Sequence, residues 1–558
     1  MNKIFKYALV AIAGLGLCSC EDVLDQKPLD SFTDDAVWGD LALSQTYLNN
    51  SYAEIKGETG KGSYFASYID ECFQMHTYGT ENVTQSLLSP DNAGINWDDM
   101  WPAWNTYYDR IAEINLFLEH IDAVPGDEAT RNNQKGQALF LRAWNYHILY
   151  LLYGRVVIVD HTYELDHGEF TEKRADLDDV ADFIVKDLDE AASLLPVSQG
   201  SAGLGQATKG AALALKSRVL LYKASPLFSP NHQPTAERWK AAADAAKAVI
   251  DMGVYSLKPV SNADEYSKLF FDPENPEVIW ERLADPKGGT GWYEAWQMDA
   301  PCGPGNGFNG WGAHAATQNI VEKFEMADGS KPVIPADGNY GNTKPWEGRE
   351  IRLAATILCD GDMWGYGEDR REVEFFYGPV NGKDSQWGDY WWNAVKTCYA
   401  IRKFLDPSYD MNGTDQPSTP FFFLRLAEVY LNYAEAEIEL GNNAEAAKYI
   451  NLIRHRALLP DFTGDIREAY DYERQIELLF EGQRWVDQRR WMRMDKEYSV
   501  PIYGVSIYKD ENGVKTYTVD KSSPVSTRKW GGDKYYWLPI PRAELNKCPL
   551  LDGQPYED

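Results

Sequence analysis

The stretch from residue 424 to 458 constrains the fold most. Apolar residues recur every three or four positions in two segments, 424–441 and 443–458, and this period predicts two amphipathic helices. Gly441 and Asn442 separate the segments, so we expect a tight turn that makes the helices antiparallel. Small residues lie where the two helices must approach closely; they are Ala434, Ala436, Ala444, Ala446 and Ala447.

The same helical period recurs along the chain. It predicts further helices at 101–121, 135–154, 177–195, 208–225, 236–253 and 472–491. The spacing at 424–458 resembles the tetratricopeptide repeat, a helix–turn–helix unit of about 34 residues that buries its faces only by stacking on neighbours. The pairs at 101–154 and 208–253 look like degenerate versions of that unit. We therefore predict a mostly α fold, with tetratricopeptide-like helical pairs in an α-solenoid that is broken into blocks.

Segment 472–491 also alternates charge at helical spacing. This pattern is typical of a structural helix that is laced with salt bridges and charged on one face. It does not indicate a catalytic or anion-binding cluster.

Between roughly residues 255 and 420 no helical period is sustained. Segment 285–312 is rich in glycine and proline, which predicts loops, and 360–395 mixes short strand-like pieces with further loops. We predict an irregular, loop-rich second lobe with short strands, and binding residues concentrate on such loops. The predicted domains are a signal peptide (1–19), an N-terminal helical region (20–254), the loop-rich lobe (255–420) and a C-terminal tetratricopeptide-like region (421–558).

The N-terminus has the pattern of an export signal. Lys3 and Lys6 precede an apolar run at 8–17, which is too short to cross a bilayer as a helix. Residues 17–20, Leu-Cys-Ser-Cys, resemble a bacterial lipobox, in which Cys20 would receive a lipid and become the mature N-terminus. Plain signal-peptidase cleavage is the alternative. The acidic residues after Cys20 resemble sorting signals for the outer membrane or cell surface.

Composition limits the classes of ligand. A net charge of −31 disfavours nucleic acid and anionic lipid and favours a neutral or cationic ligand. The 19 Trp and 34 Tyr suit stacking on sugar rings, because a flat aromatic face can cover the C–H face of a sugar. The remaining cysteines are scattered and predict neither a disulfide framework nor a zinc site, although one disulfide stays open; they are Cys72, Cys302, Cys359, Cys398 and Cys548.

Eight segments together resemble the SusD/RagB family of outer-membrane glycan-binding lipoproteins. They begin with "LDQKPLDSFTDDAVW" and close with "YYWLPIPRAEL", and the others lie at 107–115, 136–154, 209–225, 238–257, 425–457 and 473–491. The resemblance implies four tetratricopeptide units beside an irregular lobe. It also implies oligosaccharide or polysaccharide binding without catalysis, and a SusC-like TonB-dependent transporter as partner.

Candidate glycan-binding residues follow from this resemblance and from loop chemistry. Relatives place sugar contacts in the loop that holds Asn96 and Trp97, and the glycine-rich loop corresponds to a second aromatic wall. For Arg370, a planar guanidinium can donate two parallel hydrogen bonds to neighbouring hydroxyls, although pairing with acidic neighbours is the alternative. The candidates are Trp97, Trp292, Tyr293, Trp296, Trp311, Tyr78, Asp70, Asn96, Arg370 and Tyr399.

The sequence does not favour an enzyme. It contains no Gly-x-Ser-x-Gly elbow, His-Glu-x-x-His helix or phosphate loop, and its eight His are dispersed. We therefore predict no catalytic residues, no cofactor and no catalytic metal, and the acidic stretch 360–369 leaves a structural calcium undecided. The alternative function is a tetratricopeptide scaffold that mainly binds protein partners.

Overall fold

The structure is a computed structural model of the whole chain. It describes residues 37–55, 64–76, 79–93, 103–164, 168, 170–272, 275–283, 302–305, 308, 310–388, 391–408 and 419–551. Within these ranges, no helix combines the length and the apolar composition that crossing a membrane requires.

Sixteen α-helices occupy the described residues. They are α1 (Leu41–Ala53), α2 (Thr80–Thr84), α3 (Ala103–Ile121), α4 (Glu128–Tyr153), α5 (Leu177–Leu194), α6 (Lys209–Ala224), α7 (Ala236–Asp251), α8 (Ala263–Lys268), α9 (Gln318–Lys323), α10 (Ile351–Thr356), α11 (Leu426–Glu439), α12 (Asn443–Arg456), α13 (Ile466–Glu477), α14 (Gln483–Arg490), α15 (Met494–Ser499) and α16 (Arg542–Lys547).

Seven of these helices form a stack in which each packs on the next. The order is α3, α4, α5, α6, α7, α11 and α12, so α11 covers α7 although residues 252–425 separate them in the chain. Helix α1 packs on α3 and α4 at one end, and α13 packs on α11 and α12 at the other. The predicted mostly α fold of stacked helical pairs is confirmed.

Helix α4 lies at the centre of the first half of the stack. Its residues are buried continuously from Gly136 to Tyr153, since α1, α3 and α5 pack around it. A Cβ on Gly136 would lie 2.9 Å from the side chain of Leu195, so only glycine permits this approach. Arg142 of α4 is held by Asp187 of α5, with 2.7 Å between Nε and the carboxylate.

The charged segment 472–491 forms two helices, and the prediction of one helix is wrong. Helix α13 ends at Glu477, and α14 begins after Gly482, whose φ of 78° is a left-handed conformation that glycine adopts readily. The predicted ion pairs are present in both helices. Many of their charged groups are buried and not on an exposed face, because residues from distant segments of the chain pack over them. Glu477, for example, forms ion pairs with three arginines: Arg352, Arg425 and Arg456.

The second lobe is built from short strands. They are β1 (Cys72–Gln74), β2 (Val278–Arg282), β3 (His314–Ala316), β4 (Asn339–Gly341), β5 (Ile357–Leu358), β6 (Met363–Trp364), β7 (Arg371–Glu372), β8 (Ala400–Ile401), β9 (Phe421–Arg425), β10 (Ser506–Lys509) and β11 (Lys515–Thr518).

These strands form four small sheets, of which three surround a hydrophobic core of their own. The fourth, β2-β9, contributes Ile279, Trp280 and Phe423 to the core of the helices. The strand orders are β1-β3-β8-β5, β10-β11-β4, β2-β9 and β6-β7. The core of the second lobe includes Phe375 and Ile401 from the predicted lobe, and also Tyr64, Val505 and Ile507 from outside it. The loop-rich lobe is therefore assembled from three separate parts of the chain, of which 255–420 is the middle part.

The structure describes five cysteines, all of them buried, and no disulfide joins any two of them: Cys72, Cys302, Cys359, Cys398 and Cys548. Burial raises the pKa of the Cys72 thiol to about 12. This thiol is therefore protonated and unreactive near neutral pH. Cys20, the predicted lipidation site, lies outside the described residues.

Candidate functional site

Strand pairing brings two of the predicted binding segments together. Strand β1 pairs antiparallel with β3, with Cys72 opposite Ala316 and Gln74 opposite His314. Beyond the strands, the Met75 N–H donates to the Ala313 carbonyl at 2.7 Å. The end of β1, which leads toward position 78, therefore lies beside the start of β3, which follows the glycine-rich segment.

The end of the glycine-rich segment packs closely on residues 391–395. A Cβ on Gly305 would lie 2.6 Å from the Asn393 carbonyl oxygen, and one on Gly312 would lie 2.9 Å from the same atom. Gly312 also has a φ of 54°. Glycine is required at both positions by this backbone approach, which places Trp311 and Trp392 on neighbouring segments.

The hairpin of β6 and β7 flanks the same segment. The Arg371 guanidinium lies 4.3 Å from the centre of the Phe308 ring, and a Cβ on Gly365 would lie 2.8 Å from that ring. Arg371 also pairs with Asp384 at 2.7 Å, which fixes the hairpin against the following turn. Arg370, the predicted polar contact, is exposed on this hairpin.

Exposed aromatic rings lie on the frame that these packed segments form. Tyr366 is 50% exposed and Trp392 is 49% exposed, and Trp311 is partly exposed. We call Trp311, Tyr366, Arg370 and Trp392 the aromatic site. Tyr366 and Trp392 were not among the predicted residues, although their aromatic, glycine-containing neighbourhoods, "WGYGED" and "WGDYWWN", were a signal for loops that present aromatic rings.

Two histidines, His76 and His314, lie at the β1–β3 pair. Burial lowers the pKa of the partly buried His76, and the positive charge of Lys396 lowers it further. Burial lowers the pKa of His314 to about 3. Both imidazoles are therefore neutral at neutral pH.

Six predicted contacts lie outside the described residues: Tyr78, Asn96, Trp97, Trp292, Tyr293 and Trp296. Their roles stay predictions.

Two other predicted contacts lie in the interior. Asp70 is 5% exposed and pairs with Lys323 at 2.8 Å. Burial raises its pKa, but the positive charges of Lys323, Arg528 and Arg484 together outweigh burial and hold the pKa below its usual range. Tyr399 has no exposed surface, donates its hydroxyl to Gln318 at 2.6 Å, and has a pKa raised well above its usual value by burial. Neither side chain can stack on or hydrogen-bond a surface ligand in this structure, and we exclude both from the site.

The acidic stretch 360–369 has internal partners. The Asp360 carboxylate accepts from the Phe375 N–H and pairs with Lys515, and the Asp362 carboxylate accepts from the Cys359 N–H at 2.7 Å. In the part of the chain that the structure describes, no group of three or more His, Cys, Asp and Glu residues is arranged to hold a metal ion.

A separate cleft of about 720 Å³ lies in the helical lobe. Helices α1, α3 and α16 line it, together with residues between 157 and 163 and with Phe170 and Glu172; Tyr47 and Tyr108 are among the lining side chains. Sequence reasoning did not find this cleft, because its walls come from four separated segments.

Two family models match the chain. The model described as the SusD family matches residues 276–556, slightly more than half of the chain and the part that carries the whole aromatic site. The chain belongs to the SusD family. A second model, described as "Starch-binding associating with outer membrane", matches residues 22–221 of this SusD-family chain.

Curated relatives span nearly the whole SusD-family chain. SusD-like protein P38 of Formosa agariphila is 24% identical over 539 residues, covering 90% of this chain and 94% of the relative. The starch-binding protein SusD of Bacteroides thetaiotaomicron is 24% identical over 505 residues, covering 82% and 84%.

Solved structures share the fold. A SusD-like protein from Bacteroides fragilis has a TM-score of 0.79 and 28% identity, and the alignment covers 94% of this chain and 99% of that chain. A laminarin-binding SusD-like protein has a TM-score of 0.61 and 20% identity, covering 92% and 99%, which shows a common fold alone.

Proposed function

We propose that this SusD-family chain is a cell-surface lipoprotein of the outer membrane that binds oligosaccharide or polysaccharide and catalyses nothing. The observation that carries the proposal is the aromatic site, where two rings that are about half exposed lie on a frame held by close glycine contacts and an ion pair. Exposed aromatic faces cover the apolar faces of sugars, and a preformed frame avoids much of the ordering cost of binding.

The chemistry of the site supports a neutral polymer as ligand. The rings supply stacking faces, and the Arg370 guanidinium supplies paired donors. The family description and the starch- and laminarin-binding relatives point to the same ligand class. A few stacking contacts provide only a few kcal/mol, so we expect dissociation constants of about micromolar to millimolar.

Affinity electrophoresis tests this proposal. Native gels that contain starch, laminarin, fructan or xylan should retard the protein in at least one case, and Trp392→Ala, Trp292→Ala or Trp97→Ala should each reduce the retardation. Phe170→Ala, which removes an exposed ring from the cleft of the helical lobe, is the control and should migrate like the wild type. Unchanged wild-type migration in every gel contradicts glycan binding, and released reducing sugar contradicts a non-catalytic role.

The membrane anchor and the transporter are further parts of the proposal. The lipobox-like sequence supports lipidation at Cys20, and family membership supports a SusC-like TonB-dependent transporter that receives the glycan. A tagged wild-type chain should sediment with outer membranes and co-purify with such a transporter, whereas Cys20→Ala should be released from the membrane. Equal membrane recovery of both forms would contradict the anchor, and purification without a transporter would contradict the partner.

A further inference from the structure

A second group of exposed rings lies on the loop-rich lobe, separate from the aromatic site in its residues. Trp387 is 45% exposed and Tyr508 is 40% exposed, and Tyr377 lies between them. The Tyr377 ring centre is 4.6 Å from that of Trp387 and 5.3 Å from that of Tyr508. We call these three residues the aromatic ledge.

The ledge is held rigidly from both sides. Tyr377 is joined to strand β10, because its N–H donates to the Ile507 carbonyl at 2.9 Å and its carbonyl accepts from the Lys509 N–H at 2.8 Å. The Trp387 carbonyl accepts from the Asn381 side chain at 2.7 Å, and its N–H donates to the Ser385 hydroxyl. The rings are thus positioned before any ligand arrives, which lowers the cost of binding.

We propose that the aromatic ledge is a second carbohydrate-contacting surface, which engages a further stretch of the same polysaccharide chain that binds the aromatic site. This inference rests on the proposed function. It goes beyond that function by assigning Trp387, Tyr377 and Tyr508 to long polymers and not to short oligosaccharides.

The geometry of the rings favours sugar over protein as the occupant. The ring planes differ by 44° between Tyr377 and Trp387 and by 59° between Tyr377 and Tyr508, so successive faces point in different directions. Separate, tilted faces suit individual sugar rings of a twisted polymer, whose hydroxyls the phenol and amide groups nearby can meet. A stable protein interface usually buries about 800 Å² on each partner, which is far more than three ring faces supply.

The aromatic ledge is also connected to the aromatic site through an ion pair and a backbone hydrogen bond. Asp384 accepts from Arg371 at 2.7 Å and from the Glu374 N–H at 2.8 Å, and Arg371 lies against Phe308. One turn, 381–388, therefore carries Trp387 and is anchored to the hairpin that presents Tyr366 and Arg370. A single polymer that contacts both surfaces gains affinity through effective concentration, whereas a short oligosaccharide reaches only one.

The test compares polymer with oligomer for the full chain. In gels that contain the retarding polysaccharide, the double variant Trp387→Ala/Tyr508→Ala should bind about 3- to 10-fold more weakly than the wild type, as expected for the loss of one or two stacking contacts. Titration calorimetry with a disaccharide from the same polymer should give an unchanged dissociation constant, because two sugar units are too short to contact both surfaces.

Two controls distinguish a loss of ring stacking at the aromatic ledge from a general loss of structure or of glycan binding. Trp387→Tyr/Tyr508→Phe keeps all three rings and should keep most of the polymer affinity, which distinguishes stacking from a general loss of structure. Trp392→Ala should weaken polymer and disaccharide binding alike.

Equal polymer binding by the double variant and the wild type would contradict the proposed role of the aromatic ledge. A double variant that binds glycan normally but no longer co-purifies with the transporter would also contradict it, since the surface would then bind protein. If the wild type itself binds no polysaccharide in the panel, the proposed function fails, and this inference fails with it.

Discussion

Glu71 is a carboxyl group enclosed in the protein next to a second carboxyl, Asp70. It has no exposed surface; one oxygen accepts from the Phe480 N–H at 3.3 Å, and the other has no hydrogen-bond partner among the described residues. Burial, and then the negative charge of Asp70, raise the pKa of Glu71 to about 8. Glu71 is therefore mostly protonated at neutral pH when the protein is folded.

This burial makes stability depend on pH. The unfolded chain releases the Glu71 proton near the ordinary pKa of about 4.3, whereas the folded protein keeps it until about pH 8. Between these values the folded state binds more protons, so this group lowers the free energy of unfolding as pH rises, by at most about 1.4 kcal/mol per pH unit.

Glu71→Gln imitates the protonated side chain and removes this dependence. From pH 5 to pH 8 the variant should gain about 2–4 kcal/mol in free energy of unfolding relative to the wild type, measured by urea denaturation at several pH values. Glu511→Gln, at an exposed position, is the control and should follow the wild type. Parallel curves for Glu71→Gln and the wild type would contradict the raised pKa.

Single residues also show where sequence reasoning stopped. The aromatic loop chemistry predicted Trp311 and Arg370 at the surface, where the structure places them. Asp70 and Tyr399 have equally polar side chains, yet both are interior, because Lys323 and Gln318 satisfy them there. Nothing in their immediate sequence distinguishes these two situations.

Helices α13 and α14 carry a buried network of charges at the scale of secondary-structure elements. Arg352 of α10 has no exposed surface and pairs with Glu350, with Glu473 at 2.8 Å and with Glu477 at 3.4 Å. This network joins the loop-rich lobe to the end of the helical stack. Removing Arg352 leaves the enclosed Glu350 without its ion-pair partner and takes one cation away from Glu473 and Glu477, which keep Arg454, Arg425 and Arg456.

Arg352→Met should therefore lower the free energy of unfolding by about 3–5 kcal/mol. The matched control is Arg467→Met, because Arg467 forms an exposed pair with Glu439 and its loss should cost about 1 kcal/mol or less. Chemical denaturation of both variants checks the difference. A loss for Arg352→Met that is as small as the control's would mean that the buried pairs are not needed for stability.

At the scale of the whole molecule, the stack of helices is interrupted in sequence but continuous in space. Helix α11 packs on α7, whose buried side chains include Trp239, Ala243 and Val249. The entire loop-rich segment is inserted between them. The first five helices of the stack thus depend on the C-terminal part of the chain to cover their apolar end.

A chain that ends at residue 254 should consequently fail to form a stable monomer. It lacks α11, so the α7 face that carries Trp239 is uncovered, and exposed apolar surface of this kind leads to association. Size-exclusion chromatography and thermal unfolding of the truncated and full chains test this expectation. A truncated chain that is monomeric and unfolds cooperatively would show that the first helices are an independent domain.

The sequence by itself determined the helices of the stack, the loop-rich character of the second lobe and the order of motifs that resembles the SusD/RagB family. Those features depend on the period of apolar residues and on local turn chemistry, which neighbouring residues encode. Only the tertiary structure decided that α11 covers α7, that segment 472–491 bends at Gly482 into a buried charge network, and that Tyr366, Trp392 and the aromatic ledge are exposed. Burial and ion pairing of this kind depend on residues hundreds of positions away, and no local pattern records them.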